Sequence, residues 1–436
     1  VKRLFIADPS LDDLRGHHYG LSVTIADAAT ELGYKVAILS NRKSTKALLS
    51  SPRYSIRPIF SASIYFTDTI KSQKCCGDYL SREFRDFIKT EQVCSRDIVI
   101  FHTAIGEVYC GLLRLIESLH DQEASALPEI HLCTPYNEDL MPGNLRGQEL
   151  CRTITKLSRY SALKGGRIYF WVENYSLVNH YAVRTSVNHP TLHIPLKTDV
   201  FAANAAAHGF SKKPLVSYLG AAREEKGFLE VASLLRAYRD DLLTNRRKSS
   251  GLRFFVHCVP QKVGYTKKIQ DAITEMKFLS EEFDLVLDDQ PLSEDRYREL
   301  LAESDALFLL YDERYRVRGS GILAEALTMG CRIITNPGTV CARYADASID
   351  CISSEQLMQI RYLYELEDVF VDKGCPKLLT RTLLYQDLHD PFFFLRKIEA
   401  RPNYESTQAS FYTAMFFEVG VCPRMVTLGK LHPLLS

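Results

Sequence analysis

"ALFLLYDERYRVRGSGILAEALTMGCRIIT", residues 306–335, decides how the chain folds. "ALFLLY" (306–311) is a continuous apolar run of strand length, as strands buried on both faces of a parallel sheet read. A basic loop follows, with Arg314, Arg316 and Arg318. Then come three small residues, Gly319, Ser320 and Gly321, an apolar helix stopped by Gly330, and a second strand, "CRIIT" (331–335). Strand, loop, helix and strand make a βαβ unit, so the sheet is parallel and the crossover right-handed. Ser320 stands at the N-cap and Gly330 just past the last turn. The N–H groups of Ser320, Gly321 and Ile322 are then free to meet a diphosphate. Glu325, one turn on, is a lone carboxylate among Ile322, Leu323, Ala324, Ala326 and Leu327. A buried carboxylate without a partner costs several kcal/mol in order of magnitude. Two vicinal hydroxyls, as on a ribose, would satisfy it; the plain alternative is a salt bridge to Arg314, Arg316 or Arg318.

The same grammar extends through the second half. "LVSYLG" (215–220), "LRFFVHCV" (252–259) and "FDLVLD" (283–288) read as strands, with helices over 227–239 and 294–304. In open α/β sheets a ligand lies beyond the carboxyl ends of the strands, so the loops after strands are the ones to search. "YLGAAREEKGF" (218–228) is one. Gly220 ends a strand, and Arg223 and Lys226 place two cations just before a helix, which suits a phosphate-bearing ligand. A solvated, self-neutralising turn is the alternative for "REEK".

The first half repeats the pattern. "RLFIAD" (3–8), a helix over 20–33 stopped by Gly33, and "KVAILS" (35–40) form another βαβ unit. "DIVIFH" (97–102), "EIHLCT" (129–134), "RIYFWVE" (167–173) and "TLHIP" (191–195) are further strands. The loop "DPSLDDLRGHHYG" (8–20) has Gly16 and Gly20 for close backbone approach, but it is not a dinucleotide fingerprint. His17, His18 and Tyr19 offer hydrogen bonds to a polar substrate. His102 and Glu173 stand at strand ends, where a structural hydrogen bond is the alternative to a catalytic one.

"AANAAAHGFSKKP" (202–214) reads as a linker. The expectation is therefore two Rossmann-like, doubly wound domains of α/β class facing across a cleft. They cover 1–205 and 206–385, and 386–436 holds a C-terminal helix that crosses back to the first domain, plus an apolar tail. Stretches over 354–370 and 389–400 look helical, and the tail from Ser410 could dock a partner chain or complete a core.

Bulk properties narrow the classes. The chain has 436 residues, 46% hydrophobic and 25% charged, the profile of a soluble globular protein. A net charge of +1 argues against binding nucleic acid by bulk electrostatics. No apolar run is long enough to span a bilayer. Twelve scattered cysteines without a CxxC read as reduced thiols of a cytosolic protein, and no His/Cys cluster has zinc spacing. "VKRLFIAD" ends a first strand on an aspartate, so no secretory leader is expected there. A chain starting at valine has lost its initiator Met or is a piece of a longer protein.

In this order the segments resemble the retaining, nucleotide-sugar-dependent glycosyltransferases of the GT-B fold, the large family-4 (group 1) set that includes sucrose synthases and bacterial mannosyltransferases. "GHHYG…ATELGYKVAIL" is similar to that family's N-terminal glycine loop and first helix–strand. "VSYLGAAREEKGF" resembles the opening of its donor domain, "PLSEDRYRELLAESDALFLLY" the region around the nucleotide base, and "GSGILAEALTMGCRIIT" its donor-binding helix. The resemblance implies that Lys226 contacts the donor diphosphate and that Ser320, Gly321 and Ile322 meet the phosphates. It implies that Glu325 binds the ribose as the second glutamate of a Glu-x7-Glu motif. Gly16 would approach the donor, and His102 would touch the transferred sugar. Val317 stands where the motif's first glutamate would, and Ala221 where the family has an arginine; Arg223 is the nearby replacement.

The implied function is transfer of a sugar from a nucleoside diphosphate sugar, UDP or GDP type, to a hydroxyl on a glycan, lipid-linked or protein acceptor. Retention, no metal and no cofactor are implied, in cytoplasmic polysaccharide synthesis at or near the inner face of the membrane. Lys226, Arg223 and His102 would carry the chemistry, with Arg318 and Gly220 on the donor and His17, His18, Tyr19 and Glu173 on the acceptor side. The alternatives are a nucleotide-sugar epimerase on the same fold and a non-catalytic module of a polysaccharide assembly.

Overall fold

The computed structural model describes residues 2–14, 16–63, 70–120, 123–124, 126–135, 145–163, 167–197, 213–244, 252–260, 264–344, 351–353, 386–387 and 389–400. The linker over 202–214 (apart from its last two residues), the helical stretch over 354–370 and the tail from 410 lie outside them. The chain divides into two compact units, one of residues 1–197 with 388–436, the other of 198–387.

In the first unit, β1 (Arg3–Ala7), β2 (Lys35–Asn41), β3 (Ser55–Phe60), β4 (Ile98–Phe101), β5 (Glu129–Thr134) and β6 (Ile168–Val172) form one sheet. Its order is β3-β2-β1-β4-β5-β6, with every neighbouring pair parallel. Among the described residues these helices lie between the strands: α1 (Gly16–Glu31), α2 (Lys46–Leu49), α3 (Ile70–Thr90), α4 (Gly106–Glu117), α5 (Leu145–Leu163) and α6 (Tyr175–Thr185). Helix α1 turns Ile25, Ala26, Ala28 and Ala29 onto Leu4, Ile6, Ile38 and Ile100 of the sheet. The same core takes in Phe394, Leu395 and Ile398 from a helix far along the chain (Pro391–Ala400).

The second unit repeats the plan. Strands β7 (Leu215–Tyr218), β8 (Arg253–His257), β9 (Leu285–Asp288), β10 (Ala306–Leu309), β11 (Arg332–Thr335) and β12 (Cys351–Ser353) are ordered β12-β11-β10-β7-β8-β9, again all parallel. Its helices are α7 (Phe228–Thr244), α8 (Lys267–Leu279), α9 (Glu294–Glu303), α10 (Gly321–Thr328) and α11 (Val340–Tyr344); the late helix of the first unit is α12. Thr266 and Ser293 cap α8 and α9 by accepting from the backbone N–H of Ile269 and Arg296, as their place before apolar-periodic runs predicts. Numbered within each unit, both sheets have the doubly wound order 3-2-1-4-5-6. That order puts the switch point between β1 and β4 in one unit and between β7 and β10 in the other.

Three expectations need correction. "TLHIP" is not a strand: only Thr191 bridges to Val172, because Pro190 and Pro195 flank it without N–H groups for a ladder. Helix α1 starts at Gly16, not Gly20, so His17, His18 and Tyr19 lie in its first turn. The helix read from Gly227 starts at Phe228, after a 3₁₀ turn over Glu224–Lys226 that Gly227 closes with φ +75°. Strand β3 went unread because Pro58 breaks its pattern; at a sheet edge a proline needs no ladder partner on one side. Among the described residues no helix is long and apolar enough to cross a membrane. The described cysteines are free thiols, most of them buried.

Candidate functional site

At the switch point of the second unit, β7 gives way to Gly220. Its φ of +136° favours glycine, and a Cβ there would stand 3.6 Å from Cδ1 of Ile322. The end of β7 thus lies beside the N-terminus of α10. The Gly220 N–H donates to Nδ1 of His257 (3.3 Å), while the other ring nitrogen meets the Gln290 carbonyl oxygen (3.0 Å), which fixes the tautomer.

Three cations gather here. Lys226 points its ammonium over the Tyr311 ring, 5.8 Å from the centroid. Burial, then the charges of Arg223 and Arg318, push its pKa down to about 8. Arg223 pairs with Glu225 through Nη1 (3.1 Å), but its Nε is buried with no acceptor among the described residues. Arg318 lies over Tyr315, 5.0 Å from the ring centroid, and Tyr315 stacks obliquely on Tyr311 at 4.2 Å. Three cations this close, with Glu225 paired to Arg223, repel one another enough to depress Lys226, and an anionic ligand relieves that repulsion.

Helix α10 faces the same corner. Ser320 is in the N-cap position, yet its hydroxyl is bonded to Tyr311 Oη (3.0 Å) and does not cap the helix. The N–H groups of Gly321, Ile322 and Leu323 therefore have no acceptor among the described residues, and the positive end of the helix dipole is open. One turn on, half-buried Glu325 accepts a 2.5 Å hydrogen bond from Tyr297 of α9. Burial raises its carboxyl above the ordinary range; the Tyr297 bond and the charges of Arg298 and Lys226 act against that without overcoming it. The arginine alternative for Glu325 does not occur at Arg314, whose guanidinium is held by Asp312 at 2.8 and 2.5 Å. Gly220, Arg223, Lys226, Arg318, Ser320, Gly321, Ile322 and Glu325 thus share one corner, with Val317 half-buried on the approach to α10.

The first unit builds a different cluster at its own switch point. Asp8 follows β1 and is buried. Its Oδ1 accepts from Ser10 N–H (3.0 Å), and its Oδ2 lies 2.7 Å from His18 Nδ1 and 3.2 Å from His102 Nε2. Burial alone would raise this carboxyl, but the two imidazoles outweigh it and hold it well below the usual carboxylate range. His102 also meets Ser22 Oγ and Thr103 Oγ1, each at 3.0 Å, so both ring nitrogens are engaged. Its ring still lines a small cavity with Leu21, Thr134, Glu173, Ile194 and Phe394. Glu173 follows β6, anchored by its N–H on the Thr134 carbonyl (3.2 Å). Gly16 and His17 are exposed, His17 lying 4.1 Å from the His18 ring, and Tyr19 packs against the core. Of the first-unit candidates, His102 and Glu173 share the cavity, whereas Gly16, His17, His18 and Tyr19 do not line it.

Sequence reasoning passed over Asp8, Gly227, Tyr297 and Tyr311. A charged residue closing an apolar strand was the available signal for Asp8. Tyr297 lies in the segment that resembles the region around the nucleotide base, but nothing in the sequence shows that it reaches Glu325 from another helix.

No protein-family model matches the sequence, and no curated protein does. Solved structures do match by fold. A glycosyltransferase from Rickettsia africae superposes with a TM-score of 0.59 at 12% identity, covering 92% of this chain and 97% of its own. A trehalose-6-phosphate protein from E. coli bound with UDP-2-fluoro glucose gives 0.60 at 10% identity, with 91% and 97% covered. Sucrose-phosphate synthase from Thermosynechococcus elongatus gives 0.54 at 8% identity, with 95% and 99% covered. With two parallel, doubly wound sheets and these likenesses, the chain has the GT-B fold.

Proposed function

We propose that the protein is a glycosyltransferase that moves a sugar from a nucleoside diphosphate sugar to a hydroxyl acceptor on the cytoplasmic side. The observation that carries this is the convergence of Lys226, Arg223 and Arg318 on the uncapped N-terminus of α10, with Glu325 one turn further on. A diphosphate satisfies the cations and the free amides together, and ribose hydroxyls reach the carboxylate. As the bond from the anomeric carbon to the diphosphate breaks, negative charge grows on the leaving oxygen. Lys226, Arg223 and the helix N-terminus stabilise it more in the transition state than in the bound donor. Retention without metal follows from the family resemblance, and His102 and Glu173, with the Gly16–Tyr19 turn, belong to the acceptor side. The donor named in the E. coli structure, a UDP-sugar, is of the class this corner suits.

Val317 supports a second reading, a non-catalytic module of a polysaccharide assembly, because it supplies no carboxylate where the family keeps one. Turnover of UDP- and GDP-sugars by the wild type, Lys226→Ala and Glu325→Ala decides between them. A transferase loses turnover in both variants. Binding without turnover in the wild type favours the module, and neither binding nor turnover with any donor rejects the nucleotide-sugar reading.

A further inference from the structure

Glu325 is already half used. The Tyr297 hydroxyl donates to Oε2 at 2.5 Å, a charge-assisted bond at the short end of the range, while Oε1 accepts from none of the described residues. Tyr297 is one turn into α9, whose start is fixed by the Ser293 cap, and it is itself half-buried. A carboxylate that recognises a vicinal diol can give one oxygen to each hydroxyl, and each oxygen carries two lone pairs. Here the phenol already takes up one lone pair of Oε2, which leaves that oxygen the weaker acceptor for a second hydroxyl.

We infer that Tyr297 is a specificity-determining residue of the donor site: by donating to Oε2 it weakens that oxygen as an acceptor, so Glu325 reads one of the two ribose hydroxyls, through Oε1, far more strongly than the other, and the site tolerates a ribose that lacks the weakly read one. The inference rests on the nucleoside diphosphate reading above. It also gives Tyr297 a role that packing alone does not need, because phenylalanine would fill the same space.

The test is calorimetric titration of the full chain with UDP, GDP and ADP and with the 2′-deoxy and 3′-deoxy form of whichever binds. In the wild type one deoxy form binds within about threefold of its parent, and the other is weakened about 10- to 100-fold, the loss of one hydrogen bond to a charged group. In Tyr297→Phe both oxygens are open and both deoxy forms are weakened to that degree. Equal effects of the two deletions in the wild type overturn the inference, as does an asymmetry that survives in Tyr297→Phe. The donor reading stands in either case. Failure of all three diphosphates to bind removes the donor reading and the inference together. Should Tyr297→Phe not fold, the wild-type comparison decides alone.

Discussion

Gly227 lies directly against the carbonyl of Leu310, so closely that a Cβ on it would overlap the Leu310 oxygen. Its N–H closes the 3₁₀ turn onto Glu224 (2.9 Å) with φ +75°, and the turn carries Lys226. Contact and conformation both require glycine. Gly227→Ala should lower stability by at least about 2 kcal/mol, from overpacking and backbone strain together. Thermal unfolding reads the stability, and diphosphate titration reads the displacement of Lys226. An unchanged melting temperature would show that the turn tolerates a side chain.

Lys226 ties anion affinity to pH. Its ammonium is held down to about 8 by burial and by Arg223 and Arg318, and a diphosphate binds only the charged form well. Affinity should be flat between about pH 7 and pH 8, where the terminal phosphate is already fully ionised. Above that range, affinity should fall up to about tenfold per pH unit until the pKa of the complex is reached. Lys226→Arg stays charged and should be flat to pH 10, whereas Lys226→Ala should lose about 10- to 100-fold at pH 7. Titrations with UDP and GDP at several pH values measure all three.

Asp8 predicts stability in the first unit. Its carboxylate joins His18 and His102 in a buried cluster, and removing one member of such a cluster costs about 3–5 kcal/mol. Asp8→Asn, which turns an N–H donor toward imidazole donors, should unfold at lower temperature at pH 7. The folded pKa lies below the unfolded one, so the contribution is complete above about pH 4 and fades only below that, as the folded carboxyl protonates. A wild-type minus variant difference that disappeared already at pH 5 would contradict this.

Two buried histidines set a different acid limit. Burial pushes His189 and His389 down to about 4, against the raising effect of their bonds to the carbonyls of Val187 and Ile194. The unfolded imidazoles take up protons below about pH 6.5 while the folded ones do not. Stability is therefore present above pH 6.5 and lost as pH falls toward 4, by roughly 3 kcal/mol for each histidine. His389→Gln should flatten the decline of melting temperature between pH 7 and pH 4. A wild type with a constant melting temperature over that range would refute the account.

The parts that were legible in sequence are those governed by local rules. Continuous apolar runs marked strands such as β4, β5 and β11, and the small-residue turn before α10 marked the corner where amides and cations meet. Long-range geometry was not legible. That Tyr297 reaches Glu325, that Asp8 joins two histidines 10 and 94 positions away, and that Gly227 packs on Leu310 all depend on which strands become neighbours. Chain spacing carries no trace of that. "TLHIP" failed for a related reason: its apolar pattern is that of buried chain, and prolines, not hydrophobicity, keep it out of the ladder.

The late helix α12 has a consequence for biosynthesis. Phe394, Leu395 and Ile398 belong to the core that Leu4, Ile6 and Ile25 begin, while the second unit draws its core from residues between them in the chain. Domains usually mature in the order in which the ribosome releases them. Here the order inverts: the second unit can close while the nascent first unit still waits, its apolar face uncovered, for a segment translated after the whole of the second. That interval is when the growing chain is most exposed to aggregation and most in need of a chaperone.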